Sequence, residues 1–313
     1  MESKMNYLLL IVGFFMLIKG ADIFVDGCCA VARRLGIPSM IIGLTIVAMG
    51  TSAPEAAVSI AASFQNNAGI AVGNVVGSNI FNLLLIIGVC LFMVKMKVAK
   101  ETLFRDYPFY LGAMVLLGAL SYDGKLSREE GIILTLCIIL YMIWLVRDAL
   151  KSKKNNEPED KDEKIGAIKT VIFIVVGIAA VAIGGDVVVD SASGIAKSFG
   201  LSDQLIGLTI VAIGTSLPEL VTSMAAIRKK ELDLAVGNVI GSNIFNALFI
   251  LGIASLVNPV PVSSEALIDV AVCIAASAVS YGLCLHKKQL NLVKGIIFIA
   301  MYVAIFTYVL MRG

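Results

Sequence analysis

The chain has 313 residues, 58% of them hydrophobic and only 15% charged, with a mean hydropathy of +0.93. A soluble domain of this length needs far more polar surface, which excludes that class, and a formal charge of +2 gives no signal for nucleic acid. Six cysteines (Cys28, Cys29, Cys90, Cys137, Cys273, Cys284) lie in or beside apolar runs without metal-like spacing, so they read as packing residues.

A helix needs about 20 apolar residues to cross the hydrocarbon core. Apolar stretches separated by polar breaks predict ten crossings, at about 6–32, 39–65, 69–94, 105–121, 128–149, 167–197, 203–228, 233–257, 264–284 and 290–312. The first lacks a small-residue cleavage site and continues into Asp22 and Asp26, so it is not a signal peptide. Between the fifth and sixth lies KSKKNNEPEDKDEK, Lys151 to Lys164. This charged linker, 151–166, divides a first five-helix unit, 1–150, from a second, 167–313.

Lysine and arginine set the orientation. With the N-terminus outside, cytosolic segments hold Arg33, Arg34, Lys95, Lys97, Lys100, Arg105, Arg147, Lys151, Lys153, Lys154, Lys161, Lys164, Lys169, Arg228, Lys229, Lys230, Lys287, Lys288 and Lys294, which is 19 of 25. Both termini are therefore expected outside and the linker in the cytosol.

The strongest signal is an internal repeat. Residues 42–59 read IGLTIVAMGTSAPEAAVS and 206–223 read IGLTIVAIGTSLPELVTS; 71–82 read AVGNVVGSNIFN and 235–246 read AVGNVIGSNIFN. Both pairs are offset by 164 positions, and Asp22 and Asp26 map onto Asp186 and Asp190. Two copies of five crossings, an odd number, must run in opposite directions. The expected fold is all-α, ten transmembrane helices in two inverted repeats, the arrangement of secondary transporters with a site at the repeat interface.

Each GTSxPE places glycine, proline and a carboxylate inside an apolar crossing. Proline removes a backbone donor, so the helix breaks near Pro54 and Pro218 and frees carbonyls around Ala48–Thr51 and Ala212–Thr215. Glu55 and Glu219 fall near mid-membrane, where an ionised carboxylate costs at least ~3 kcal/mol. In the second motif, glycines 73 and 77, or 237 and 241, allow close helix approach. Ser78 and Asn82, like Ser242 and Asn246, lie four apart and share a helix face. Carboxylates, hydroxyls and carbonyls together make an all-oxygen cage suited to Ca²⁺ and Na⁺. Pairing of the glutamates with buried bases is the plainer reading of such residues, but the only deep candidates, Lys19 and Lys169, are expected near helix ends. The four aspartates fit either an ion path or helix-end charges. Ser52 and Ser216 have no histidine or lysine base nearby, and the chain is not read as an enzyme.

GTSAPE with GNVVGSNIFN, then GTSLPE with GNVIGSNIFN, resemble the α-repeats of the sodium/calcium exchanger family in its prokaryotic form, over nearly the whole chain. The resemblance implies a core of crossings 2, 3, 7 and 8 with crossings 1 and 6 sliding across it. It also implies four central cation sites, one for Ca²⁺ and up to three for Na⁺. By motif position, Glu55 and Glu219 bridge the sites. Thr51, Thr215, Ser52, Ser216, Ser78 and Ser242 give further oxygens with the carbonyls of Ala48 and Ala212, and Asn82 and Asn246 complete the ring. Members of the family often carry Asp where Asn246 stands, so this cage has two carboxylates rather than three. The function implied is Na⁺/Ca²⁺ antiport in a prokaryotic plasma membrane, with no cofactor and no obligate protein partner; a calcium/proton or potassium-dependent exchanger is the alternative. Proton-coupled relatives typically read GNxxE, where this chain has Gly77 and Gly241.

Overall fold

The structure is a computed structural model that describes residues 2–155, 166–200, 210 and 212–312. The chain is helical almost throughout. In order come α1 (Glu2–Leu35), α2 (Ser39–Thr51), α3 (Ala53–Phe64), α4 (Gly69–Met93), α5 (Tyr107–Leu120), α6 (Arg128–Asn155), α7 (Ala167–Ser198), α8 (Leu217–Arg228), α9 (Leu232–Val257), α10 (Ser264–Leu285) and α11 (Leu292–Arg312). Among the described residues seven helices are long and apolar enough to cross a membrane, and the bent pair α2/α3 makes an eighth. The fourth expected crossing is α5, led in by a π turn at Thr102–Asp106. The seventh is described only from Ala212, apart from Ile210, because 201–209 and 211 lie outside the described residues.

Three local departures have simple causes. α6 continues to Asn155, five residues into the expected linker, because lysine is a good helix former and is welcome at a helix C-terminus; 156–165 lie outside the described residues. The fold is not purely helical: two-residue strands β1 (Met96–Lys97), β2 (Lys125–Leu126), β3 (Val260–Pro261) and β4 (Gln289–Leu290) pair as β1–β4 and β2–β3. They tie loops that are far apart in sequence. Lys19 sits mid-way along α1 on an exposed face, not near an end, since α1 extends well beyond a bilayer's needs at 34 residues.

Small residues decide which helices touch. A methyl group at Gly20 would lie 2.8 Å from Ala180 Cβ; one at Gly13 would meet Val188 at 2.8 Å and one at Gly27 would meet Ile174 at 2.9 Å. Partner numbers fall as α1 numbers rise, so α1 and α7 run antiparallel with their backbones nearly in contact, as glycine allows in membrane helices. α4 and α9 are the central helices: 78% and 83% of their apolar windows are buried, against 17% in α11 and 28% in α7.

Candidate functional site

Each GTSxPE segment breaks its helix at serine. Ser52 (φ −82°, ψ 8°) separates α2 from α3, which bend by 49°, and Ser216 (φ −92°, ψ 5°) precedes α8. Proline stands in the first turn after each break, so Pro54 offers no N–H to the Gly50 carbonyl four residues earlier. The Ala48 carbonyl, expected to be freed, accepts the Ser52 N–H at 3.0 Å and retains its second lone pair. Ala212 opens the short turn Ala212–Gly214. Glu55 and Glu219 lie in the first turns of α3 and α8, where the helix N-terminus favours an anion.

Both glutamates are fully buried, and each is served by the other copy of the motif. Ser52 Oγ donates to Glu219 Oε1 at 2.8 Å, and Ser216 Oγ donates to Glu55 Oε1 at 3.1 Å. Ser216 Oγ in turn lies 3.1 Å from Ser78 Oγ. The second oxygens, Glu55 Oε2 and Glu219 Oε2, have no partner among the described residues. A carboxylate offers about four lone-pair sites, and an unsatisfied buried charged group costs at least 1–3 kcal/mol by the usual estimate. This centre is therefore short of positive charge.

The remaining expected donors surround it. Thr51 Oγ1 lies 3.1 Å from Asn238 Oδ1 and 3.4 Å from Ser242 Oγ, with the carbonyls of Val47 (3.1 Å) and Ala48 (3.4 Å) behind it. Among the described residues Thr215 Oγ1 has no partner, nor do Asn82 Oδ1 and Nδ2 or Asn246 Oδ1. Asn82 and Asn246 lie where α4 and α9 widen into π turns, Phe81–Ile86 and Asn246–Ile250, a local form frequent at functional sites.

Gly237 and Gly241 bring α9 onto α2. A methyl at Gly237 would lie 2.7 Å from Met40 O, and one at Gly241 would lie 2.7 Å from Leu44 Cα, so Ser242 and Asn238 reach Thr51. Around Gly73 and Gly77 nothing described lies within 4 Å; their counterparts of Met40–Ala48 fall at 204–212, mostly outside the described residues.

Four asparagines absent from the expected donor set help to build the site. Asn74 Nδ2 donates to Glu55 O (3.3 Å) and Ser59 Oγ (2.9 Å), and Asn238 Nδ2 donates to Glu219 O (3.3 Å) and Ser223 Oγ (3.0 Å). Asn79 and Asn243 join α4 to α9. Their signal was present in the sequence, since each pair is offset by 164. The aspartates divide: Asp22 Oδ1 binds Arg228 Nη2 (2.9 Å) and Asp26 Oδ1 binds Lys229 Nζ (2.5 Å), pairs between α1 and the C-terminal end of α8 rather than part of the centre. Asp186 and Asp190 are exposed and have no ion pair among the described residues; positions 64 and 65, where the matching bases would stand, are Phe64 and Gln65.

Among the described residues no three His, Cys, Asp or Glu side chains come together, so the centre offers carboxylate, hydroxyl and amide oxygens, a set for hard cations. Fold and site together define a multi-pass helical membrane protein with a buried, two-carboxylate oxygen centre. The family profile described as sodium/calcium exchanger protein matches residues 5–147 and 169–311, and the chain belongs to that family. It is 40% identical over 258 residues to the inner membrane protein YrbG of Escherichia coli, covering 80% of this chain and 79% of that one. It is 35% identical over 305 residues to the sodium/calcium exchanger MaX1 of Methanosarcina acetivorans, covering 84% and 86%. Among solved structures it resembles the sodium-calcium exchanger NCX_Mj with a TM-score of 0.85 at 31% identity, covering 96% of this chain and 97% of that one. The family is one of exchangers, not enzymes.

Proposed function

We propose that this chain exports Ca²⁺ in exchange for Na⁺ by alternating access, through ten crossings arranged as two inverted five-helix repeats in a prokaryotic plasma membrane. The observation that carries the reading is the pair Glu55 and Glu219, both buried, each holding one serine hydroxyl from the other copy and one unpartnered oxygen. Thr51, Thr215, Ser52, Ser216, Ser78, Ser242, Asn82 and Asn246, with the carbonyls of Ala48 and Ala212, complete the ion cage. Bare, the cage would carry two negative charges through a low-dielectric barrier, which is costly. Filled by Ca²⁺ or by Na⁺ it is not, and competition for the same oxygens couples the two fluxes.

The orientation has physical support. The loops joined by β1–β4 (96–97 with 289–290) carry the lysines assigned to the cytosol, and those joined by β2–β3 (125–126 with 260–261) belong to the opposite face. Arg33–Glu231 on one side and Asn258–Asn66 on the other follow the same division. The antiparallel run of α1 and α7, offset by 164, supports the inversion.

Two carboxylates balance one Ca²⁺ or two Na⁺, and a third Na⁺ makes exchange electrogenic. Tenfold in concentration is worth ~1.4 kcal/mol and one charge across 100 mV about 2.3 kcal/mol. Three Na⁺ entering release ~11 kcal/mol, and Ca²⁺ leaving costs ~4.6, so a Ca²⁺ gradient above 10⁴-fold can be held by those figures. With two Na⁺ the limit is roughly a hundredfold. We propose the electrogenic form. In proteoliposomes an outward-directed Na⁺ gradient should drive ⁴⁵Ca²⁺ uptake and carry current. Uptake that follows a pH gradient and ignores Na⁺ would overturn the exchange reading; uptake without current would overturn only the three-Na⁺ form.

A further inference from the structure

Asn79 is fully buried and is not one of the cage donors assigned above. Its Nδ2 donates to Asn243 O at 3.1 Å and lies 3.5 Å from Met114 Sδ, while its Oδ1 accepts from Asn246 Nδ2 at 3.1 Å. Asn243 returns the first bond, Nδ2 to Asn79 O, also at 3.1 Å. The two asparagines thus staple α4 to α9 across the centre by a reciprocal pair.

The reciprocal pair fixes more than a helix crossing. A backbone carbonyl can only accept, so the nitrogen of Asn79 must face Asn243 O, and its oxygen is turned to Asn246. Facing an acceptor, Asn246 must present its own nitrogen. What remains is Asn246 Oδ1, buried and unpartnered among the described residues. The mirror-image bond, Asn82 Nδ2 to Asn243 Oδ1, is not made: both atoms lack partners. Only one of the two cage amides is locked.

We infer that Asn79 is a positioning residue that holds Asn246 with its oxygen available to the transported cation, leaving Asn82 free to turn. A carboxylate at 246 would set oxygen against Asn79 Oδ1, so Asn79 also matches the amide found there. This inference rests on the reading of Asn246 as an ion ligand.

The mirror symmetry supplies the control. Asn79→Leu and Asn243→Leu each remove one of the two stapling bonds, but only Asn79→Leu releases Asn246. In proteoliposomes, Na⁺-gradient-driven ⁴⁵Ca²⁺ uptake should show a half-saturating Ca²⁺ concentration about fivefold higher in Asn79→Leu than in Asn243→Leu, as expected for one neutral hydrogen bond. In an Asn246→Ala background that difference should vanish, as for residues acting through one another. Equilibrium ⁴⁵Ca²⁺ binding in detergent should show the same order. Equal half-saturation in the two Leu variants, or an Asn79 effect undiminished by Asn246→Ala, overturns the inference. Should Asn79→Leu not assemble, Asn79→Ser, polar but too short to reach Asn246, carries the same expectation. Absence of Na⁺-dependent Ca²⁺ flux or binding in the wild type would sink the functional reading and this inference with it; wild-type flux with equal variants sinks this inference alone.

Discussion

Glu219→Gln isolates charge from shape at the centre. Glu219 is fully buried, its Oε1 takes the Ser52 hydroxyl at 2.8 Å, and its Oε2 has no partner among the described residues. Glutamine keeps an oxygen for Ser52 and nearly the same volume, so the helix break and the cross-copy hydrogen bond persist. The cage charge falls from −2 to −1, and a bound Ca²⁺ is left with one uncompensated charge. Removing one partner from a buried ionic pair costs about 3–5 kcal/mol, which at ~1.4 kcal/mol per tenfold predicts Ca²⁺ affinity lower by roughly two to three and a half orders of magnitude. Ser52→Ala leaves both charges and removes one charge-assisted hydrogen bond, worth about 1.5–3 kcal/mol at most, part of which the cation itself replaces. Its loss should stay near tenfold. Glu55→Gln should match Glu219→Gln within a few fold, because Ser216 serves Glu55 as Ser52 serves Glu219. Equilibrium ⁴⁵Ca²⁺ binding and Na⁺-driven uptake read both properties. A Glu219→Gln protein within threefold of wild type in both would refute the two-carboxylate cage.

Three further substitutions test how the scaffold is held. Gly241→Val places a side chain where even a methyl lies 2.7 Å from Leu44 Cα; the protein should lose its monodisperse peak in size-exclusion chromatography, and normal assembly would contradict the α2–α9 contact. Lys294 is buried and donates to three carbonyls at and beyond the end of α10, Leu283 (2.6 Å) in its last turn, then His286 (2.7 Å) and Gln289 (2.5 Å). Lys294→Met should destabilise by about 2–3 kcal/mol through unsatisfied acceptors, seen as a lower melting temperature in detergent. Arg228→Gln with Lys229→Gln removes two half-exposed ion pairs to α1, so the loss should stay within about 1 kcal/mol per pair and shrink as salt is raised; a large, salt-independent loss would refute their assignment as surface pairs.

Much of this protein was legible in its sequence because the constraints were covalent or periodic. Pro54 and Pro218 dictate a break wherever they stand in a helix, and the structure bends α2 from α3 by 49° at that place. What the sequence did not convey was which copy serves which. Nothing in GTSAPE says that Ser52 turns away from its own glutamate toward Glu219, since that depends on two breaks meeting in space. Asn79 and Asn243 were overlooked for a related reason: they lie beside the face that carries Ser78 and Asn82, and their partners are backbone atoms 164 positions away. The aspartates are distinguishable in the sequence itself. Applying the same offset to Arg228 and Lys229 leads to Phe64 and Gln65, so Asp22 and Asp26 have bases to meet and Asp186 and Asp190 do not.

The exchange of hydroxyls between copies bears on why both halves are held in one chain. A single half would bury its glutamate with neither the serine that now donates to it nor the second carboxylate proposed to share a cation with it, and a lone ionised group inside a membrane is costly. Pairing the halves removes that cost only if each break faces the other, which the proposed inverted copies would achieve. Such symmetry supplies ligands in matched pairs, Ser52 with Ser216 and Asn82 with Asn246. Differences between the cation positions must then come from residues that break the match. Asn79 binding Asn246, with no equivalent bond to Asn82, breaks it beside the centre, and the Arg228 and Lys229 ion pairs break it where the end of α8 meets α1. On the proposed reading, selectivity in a duplicated cage is built from outside the duplicated ligands, where one copy can change without unbalancing the charge that both must share.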